Sequence, residues 1–273
     1  MSLPSEADGV RIAIDGPILR VTLCAPEVLN AQTPGTWSRL AAVPAHLDER
    51  VRLVVVEGQG RSFSAGLDRR MLTAEGIAGQ GSLAEVARGD DAAIDAFIRR
   101  AQAGFTWQQG LAVPVVAYVH GHAIGAGFQL ALAADIVIVA PDARFAMRET
   151  GLGLVPDLGG TAPLVRSLGY QGALEACLTG REIDAIEAVR RGLALEMVEH
   201  EDWPEHQARL AGGLASLLPG AVADLKALLR GLVDAGPQLE RERAAQAGRL
   251  RDVASRNGTP AHGGWARTTG EHA

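Results

Sequence analysis

Lysine is almost missing from this 273-residue chain: of 26 basic residues, Lys226 is the only lysine and the rest are arginine. Schiff-base chemistry needs a lysine poised as a nucleophile, and Lys226 sits in ADLKALL, which reads as an ordinary helix. A lysine-rich RNA-binding surface is missing too, and a net charge of -6 gives no field that favours nucleic acid. Cysteine is nearly as scarce. Cys24 and Cys177 lie far apart in the apolar contexts VTLCAPE and LEACLTG, which argues against a disulfide framework and against a zinc site with clustered ligands. Both read as buried core thiols. No apolar run approaches the roughly 20 residues that span a bilayer, and the start, MSLPSEADG, is polar and acidic, without the apolar core of a signal peptide. A soluble, cytoplasmic protein without membrane contact is expected. Trp107, Trp203 and Trp265 form no base-stacking arrangement and read as packing residues.

What is present is a core. Apolar residues make up 47% and charged residues 21%, the balance of a soluble globule that can build one large domain or one domain with an appendage. VRIAIDG, ILRVTLC and VRLVVVEG read as strands, with Gly16-Pro17 turning the first into the second. PVVAYVHG and DIVIVAP are near-continuous apolar runs, the pattern of strands buried on both faces. Helical patterns lie between them: TWSRLAAVPAHL, interrupted by Pro44, then DDAAIDAFIRRAQAGFTWQQG and GFQLALAA. This alternation predicts α/β layering. After about residue 160 the pattern is almost wholly helical, with Gly169, Gly180 and Gly192 where C-terminal caps are expected and Pro219 and Pro237 separating later helices. The polar, glycine-spotted stretch 71–91 predicts a mobile loop beside a site rather than core. The last stretch, RNGTPAHGGWARTTGEHA, lacks periodicity and reads as a flexible tail.

Three glycine-rich segments each follow a predicted strand: RSFSAGLD at 61–68, GHAIGAGFQ at 121–129 and RETGLGLVPDLGGT at 148–161. None has the dinucleotide-binding spacing, none continues into a phosphate-binding GKS or GKT, and Ser64 lacks a nucleophile elbow. A helix starting near Ala126 would present unpaired amides and the positive end of its dipole, and glycines ahead of it let a ligand approach the backbone. Such a place suits an oxygen that gains negative charge during reaction, and a second amide from SAGLD would complete a pair. Glu149 and Asp157 could then move protons beside the polarised carbonyl. The alternative for Glu149 is an ion pair with Arg148, and for Asp157 a turn after Pro156. His120 and His122 flank Gly121, but no third ligand completes a metal set, so they read as structural.

Taken together, RSFSAGLD, GHAIGAGFQLALAADIVIVAPDARFAMRETGLGLVPDLGGT and LTGREIDAIEAVRRGLALEMVE, with PEVLNA near residue 26, resemble the defining segments of the crotonase (enoyl-CoA hydratase/isomerase) family. The resemblance covers roughly residues 10–235. It implies an α/β crotonase-like ββα superhelix, a spiral core over 1–200, a C-terminal helical trimerisation region over 201–255 and a tail over 256–273. It also implies an acyl-CoA thioester as substrate, with coenzyme A as part of that substrate and no separate cofactor or metal, and a homotrimer or hexamer. Position by position, it implies an oxyanion hole from the backbone amides of Leu67 and Ala126, and coenzyme A contacts from Ala65, Asp68 and Arg70. Glu149 matches one catalytic glutamate of the hydratases, and Asp157 an aspartate that dienoyl-CoA and ring-epoxide isomerases use in proton transfer.

Departures shape the functional expectation. Gln129 stands where hydratases carry their other glutamate, and an amide cannot exchange a proton at neutral pH. It could orient water or the substrate carbonyl, or cap the helix start. Ala25 stands where an arginine is common, and the HGGWARTTG tail replaces a segment that often supplies a basic contact to coenzyme A. The expected activity is therefore double-bond isomerisation of an acyl-CoA through a stabilised enolate. The alternatives are a hydratase or hydrolase working with Glu149, and a catalytically silent acyl-CoA-binding subunit.

Overall fold

Alternation along the strand-forming runs becomes two separate layers of core. In the computed structural model, which describes residues 5–233 and 236–255, the chain opens with β1 (Ser5–Ala7), β2 (Val10–Asp15) and β3 (Ile18–Leu23). β2 and β3 form an antiparallel hairpin through Gly16, whose φ of +56° is the left-handed turn that glycine makes cheaply. Next come α1 (Pro34–Ala41), β4 (Leu53–Gly58), α2 (Leu83–Val86), α3 (Asp91–Gly110), β5 (Val115–Val119) and β6 (His122–Ile124). They are followed by α4 (Ala126–Leu132), β7 (Ile136–Val139), β8 (Arg144–Ala146), α5 (Thr161–Thr179), β9 (Ile183–Asp184), α6 (Ala185–Arg190) and β10 (Glu196–Met197). Three helices, α7 (Trp203–Ala215), α8 (Pro219–Gly231) and α9 (Gly236–Ser255), complete the described chain.

The main sheet has the order β1-β2-β3-β4-β5-β7-β10, and from β3 onward each neighbouring pair is parallel. Its inner strands β4, β5 and β7 are covered on both faces, which is why they read as apolar runs. Val54 and Val56 of β4 face one core with Trp37 and Phe105, while Leu53 and Val55 face another with Tyr118 and Trp203. A smaller sheet, β6-β8-β9, stands beside the turn after β4: the Ser64 amide donates to His122 O at 2.9 Å and the Ile124 amide to Ser64 O at 3.0 Å. These short strands are set by such tertiary pairing and carry no periodic signal of their own.

Punctuation behaves as its residue types dictate. Thr33 and Asp90 cap α1 and α3. Gly180 closes α5 in the left-handed conformation, whereas Gly169 (φ +71°, ψ 167°) breaks α5 internally instead of ending it. Pro219 starts α8, and Pro237 lies in the first turn of α9, rather than merely separating helices. Stretch 71–91 flanks the site as expected, but it is not free of core: Met71 and Ile77 are buried, and α2 is a short helix capped by Ser82. Residues 256–273, including Trp265 and the HGGWARTTG segment, lie outside the described residues.

Lys226 departs from the ordinary helix residue that the sequence suggested. Its Nζ pairs with Asp135 at 2.7 Å and donates to Gln108 O at 3.0 Å and Val113 O at 2.9 Å, pinning α8 to the core. On α8, Leu225, Leu228 and Leu229 are exposed, as is Leu232 just after it.

Candidate active site

Two turns meet because they carry glycines. Gly66 has φ +83°, and a Cβ built there would lie 3.3 Å from the Ala126 nitrogen; at Gly127 a Cβ would lie 2.5 Å from Ser64 O. Side chains at these places would force the segments apart. The turn is braced by Ser64, whose buried hydroxyl donates to Asn30 O at 2.7 Å and accepts from the Gly66 amide at 3.1 Å and Gln32 Nε2 at 3.1 Å. Ser64 is therefore a strut, in line with its lack of a nucleophile elbow. Among the described residues, neither the Leu67 nor the Ala126 amide has a protein acceptor. Ala126 is the first residue of α4, where an unpaired amide and the dipole coincide.

Gln129 of α4 organises the carboxylates. Its Nε2 donates to Glu149 Oε1 at 2.8 Å, and its Oε1 accepts from the Leu158 amide at 2.9 Å and the Gly160 amide at 3.3 Å. Two backbone donors on one atom leave no doubt which end of the amide faces Glu149. The helix cap considered for Gln129 does not match this geometry, since its oxygen is occupied by the backbone of the 158–160 turn. Arg148 turns away to Glu182 at 3.1 Å, so the ion pair considered for Glu149 does not form. Glu149 Oε2 is sealed from solvent without any hydrogen-bond partner. Burial pushes the Glu149 carboxyl above its ordinary pKa, held back partly by hydrogen bonds including that from Gln129.

Asp157 belongs to the turn before α5. Its carboxyl is driven well above the usual carboxylate range, by burial first and then by the charges of Glu149 and Glu242. Its main-chain oxygen accepts from Gln102 Nε2 at 2.8 Å, so this is a positioned turn rather than a surface one.

Leu67, Ala126, Gln129, Glu149 and Asp157 line one cavity of about 60 Å³. The remaining wall is largely apolar: Trp37 from α1, Phe97, Ile98 and Ala101 from α3, and Leu83 from α2, which puts part of the 71–91 stretch beside the site as expected. The roof was not foreseen. Gln246 and Leu250 of α9 close the cavity, with Leu250 packed against Ile94, Ile98 and Leu154. α9 is locked down by Gln246 Oε1, which accepts from the Val155 amide at 3.0 Å, and by Arg243, which reaches Asp95 at 3.0 Å and Gln102 Oε1 at 2.9 Å. Buried Glu242 accepts from the Gly159 amide at 2.7 Å and from the Thr161 hydroxyl, at the start of α5. In LERERAAQAGRLRDVA these residues look like a solvated helix; the signal that finds them is the spacing of Glu242, Gln246 and Leu250, which puts all three on one face.

Ala65, Asp68 and Arg70 do not line the cavity that holds the carboxylates. Ala65 is half-buried, its amide donating to Leu29 O at 2.8 Å. Asp68 is buried and grips the exposed Arg70 through both carboxylate oxygens, at 2.7–3.2 Å, so it aims the guanidinium. His120 Nε2 donates to Gly60 O at 2.8 Å and its ring stacks on His200, while His122 is exposed. The two do not form a metal pair, and no group of metal-ligating side chains occurs among the described residues. Cys24 and Cys177 are free and half-buried, and burial pushes the Cys177 thiol up to about 11, so it stays protonated.

With this geometry in place, the comparisons with known proteins are specific. A sequence model described as enoyl-CoA hydratase/isomerase matches residues 13–259. A carnitinyl-CoA dehydratase of Salmonella typhi is 34% identical over 227 residues, which are 82% of this chain and 81% of that protein. A Thermobifida fusca YX protein solved in complex with acetoacetyl-CoA is 39% identical with a TM-score of 0.77, over 90% of this chain and 96% of that one. An enoyl-CoA hydratase/isomerase from Mycobacterium paratuberculosis superposes with a TM-score of 0.77 at 27% identity, covering 92% and 98%.

Proposed function

The chain belongs to the enoyl-CoA hydratase/isomerase (crotonase) family, and from that premise we propose that it is an acyl-CoA enzyme that moves a double bond through an enolate. The observation that carries this reading is Glu149 Oε2, buried and unpartnered, in the same cavity as the free amides of Leu67 and Ala126. The two amides hold the thioester oxygen as it becomes negative, a contribution of about 3 kcal/mol per donor. Glu149 removes the proton next to the thioester, and Asp157 delivers one at the distal carbon.

The environments support that division of labour. Burial raises both carboxyls; hydrogen bonds including that from Gln129 hold Glu149 back, whereas the charges of Glu149 and Glu242 drive Asp157 further up. A pair of carboxyls pushed apart in this way supplies a base and an acid at one pH. A small, roofed cavity supports proton transfer within the acyl group over attack by water, and Gln129 cannot serve as the second proton-exchanging group of a hydratase.

A second reading has its own support in the carnitinyl-CoA dehydratase relatives. In it, the same Glu149 takes the α-proton while Asp157 protonates a departing β-hydroxyl. Incubation of an enoyl-CoA in ¹⁸O-labelled water separates the two, because only hydration incorporates oxygen. Asp68 and Arg70 stand by the coenzyme A phosphates in this proposal, and the exposed leucines of α8 are the surface for the trimer or hexamer.

The test is Glu149→Gln. Turnover should fall by about 10²–10⁴-fold while affinity for the acyl-CoA stays within a few fold. Near-normal turnover would sink the assignment.

A further inference from the structure

Three spaces share lining residues of α3. The innermost is the cavity of about 60 Å³ at the carboxylates. Beyond its wall is a groove of about 340 Å³, which shares Trp37, Phe97 and Ala101 with the inner cavity. That groove continues into an open one of about 680 Å³, with Gly79, Gln80, Phe97 and Arg100 in common. Phe97 is the side chain that borders all three.

The parts of this wall differ in freedom. Trp37 is buried, and its Nε1 donates to Gln32 Oε1 at 3.0 Å, so its indole is fixed. Ala101 has only a methyl group. The α9 side of the cavity is held by the hydrogen bond from the Val155 amide to Gln246. Phe97 is half-buried, has no polar tether and stands edge-on to Trp37 at 6.3 Å. It can turn without breaking a hydrogen bond.

We infer that Phe97 is a specificity-determining partition that sets the length of acyl chain this enzyme takes. Resting on the proposed placement of the thioester at Leu67 and Ala126, the inner cavity has room for roughly four water-sized groups, a short acyl chain. A longer chain continues into the neighbouring groove only when Phe97 is displaced. The grooves lie beside Gly79, Gln80 and Ser82, where an emerging chain would rest against backbone and small side chains.

The experiment uses the full chain and two saturated ligands, butyryl-CoA and decanoyl-CoA, with affinities measured calorimetrically for wild type, Phe97→Ala and Phe97→Trp. Butyryl-CoA should bind wild type at least tenfold more tightly than decanoyl-CoA. Phe97→Ala should shift that ratio at least tenfold toward the long chain, and Phe97→Trp should shift it the other way. Should Phe97→Ala fail to fold, Phe97→Leu should show a smaller shift in the same direction. A ratio unchanged within twofold in the folded variants overturns the inference, as does a wild type that binds both chains equally. If wild type binds neither thioester, the proposed function itself falls; if it binds butyryl-CoA and the ratio never moves, only the role of Phe97 falls.

Discussion

Exchanging Gln129 for glutamate changes one atom at the centre of the site and has a calculable consequence. The amide nitrogen that now donates to Glu149 at 2.8 Å becomes an oxygen facing another oxygen. With both carboxylates charged and their charge centres ~4 Å apart, the repulsion is about 4 kcal/mol at an effective dielectric of 20. That exceeds what two isolated carboxylates tolerate, so the pair keeps one proton at neutral pH and titrates as a unit. The other oxygen of the new glutamate still accepts from the Leu158 and Gly160 amides, so the turn survives. Under the proposed function, Gln129→Glu should add a second macroscopic pKa to the pH profile of kcat/KM. It should also raise hydration of a short 2-enoyl-CoA, followed by ¹⁸O incorporation from labelled water, by at least tenfold, because a second proton-exchanging group is now present. Gln129→Leu is the contrast: it orphans two backbone amides and Glu149 Oε1, at about 1–3 kcal/mol for each unsatisfied group. An unaltered pH profile together with no gain in hydration in a folded Gln129→Glu protein would refute the reasoning.

Asp157→Asn should raise thermal stability at neutral pH while lowering turnover. A carboxyl whose pKa is raised by folding supports the fold fully below its unfolded value near 3.8 and loses that support as pH rises through the folded value. Removing the titration should therefore flatten the fall of Tm above about pH 4, by about 2–4 °C for each kcal/mol relieved, as scanning calorimetry across pH would show. Lys226→Met should lower stability by about 3 kcal/mol, read from the urea midpoint. Arg230 still pairs with Asp135 at 2.7 Å, but Gln108 O and Val113 O lose their donor.

Much of this fold is legible in the sequence because burial on two faces leaves a compositional trace. VVAYV and IVIV can hardly be anything but inner strands, and both are. β6, β8 and β9 leave no such trace, since three residues or fewer carry no period and their pairing depends on where Ser64 and Gly121 bring the backbone. The glycines at 66, 125 and 127 marked the site, and the carboxylates near them could be named. What could not be read was contact across long separations. Trp37 reaches the cavity from before β4, Phe97 from α3, and Leu250 from a helix whose sequence is rich in charge. Neither hydropathy nor motif spacing connects residues so far apart; only packing does.

Gln129 illustrates why identity and role separate. As a letter, it reads as a lost acid. In the structure, its side chain hydrogen-bonds both Glu149 and the turn carrying Asp157, so a single amide ties the two segments to each other. Glu242 grips the same turn from the opposite side through Gly159 and Thr161. The turn is thus held between α4, which also presents the Ala126 amide, and α9, which also roofs the cavity. Within the proposed chemistry, placing the roof and placing the acid are one event: α9 cannot lift at Glu242 without releasing the two donors that hold the 157–161 turn. An acyl group would then reach the carboxylates with α9 already seated, and under the inference above only a chain too long for the inner cavity displaces Phe97.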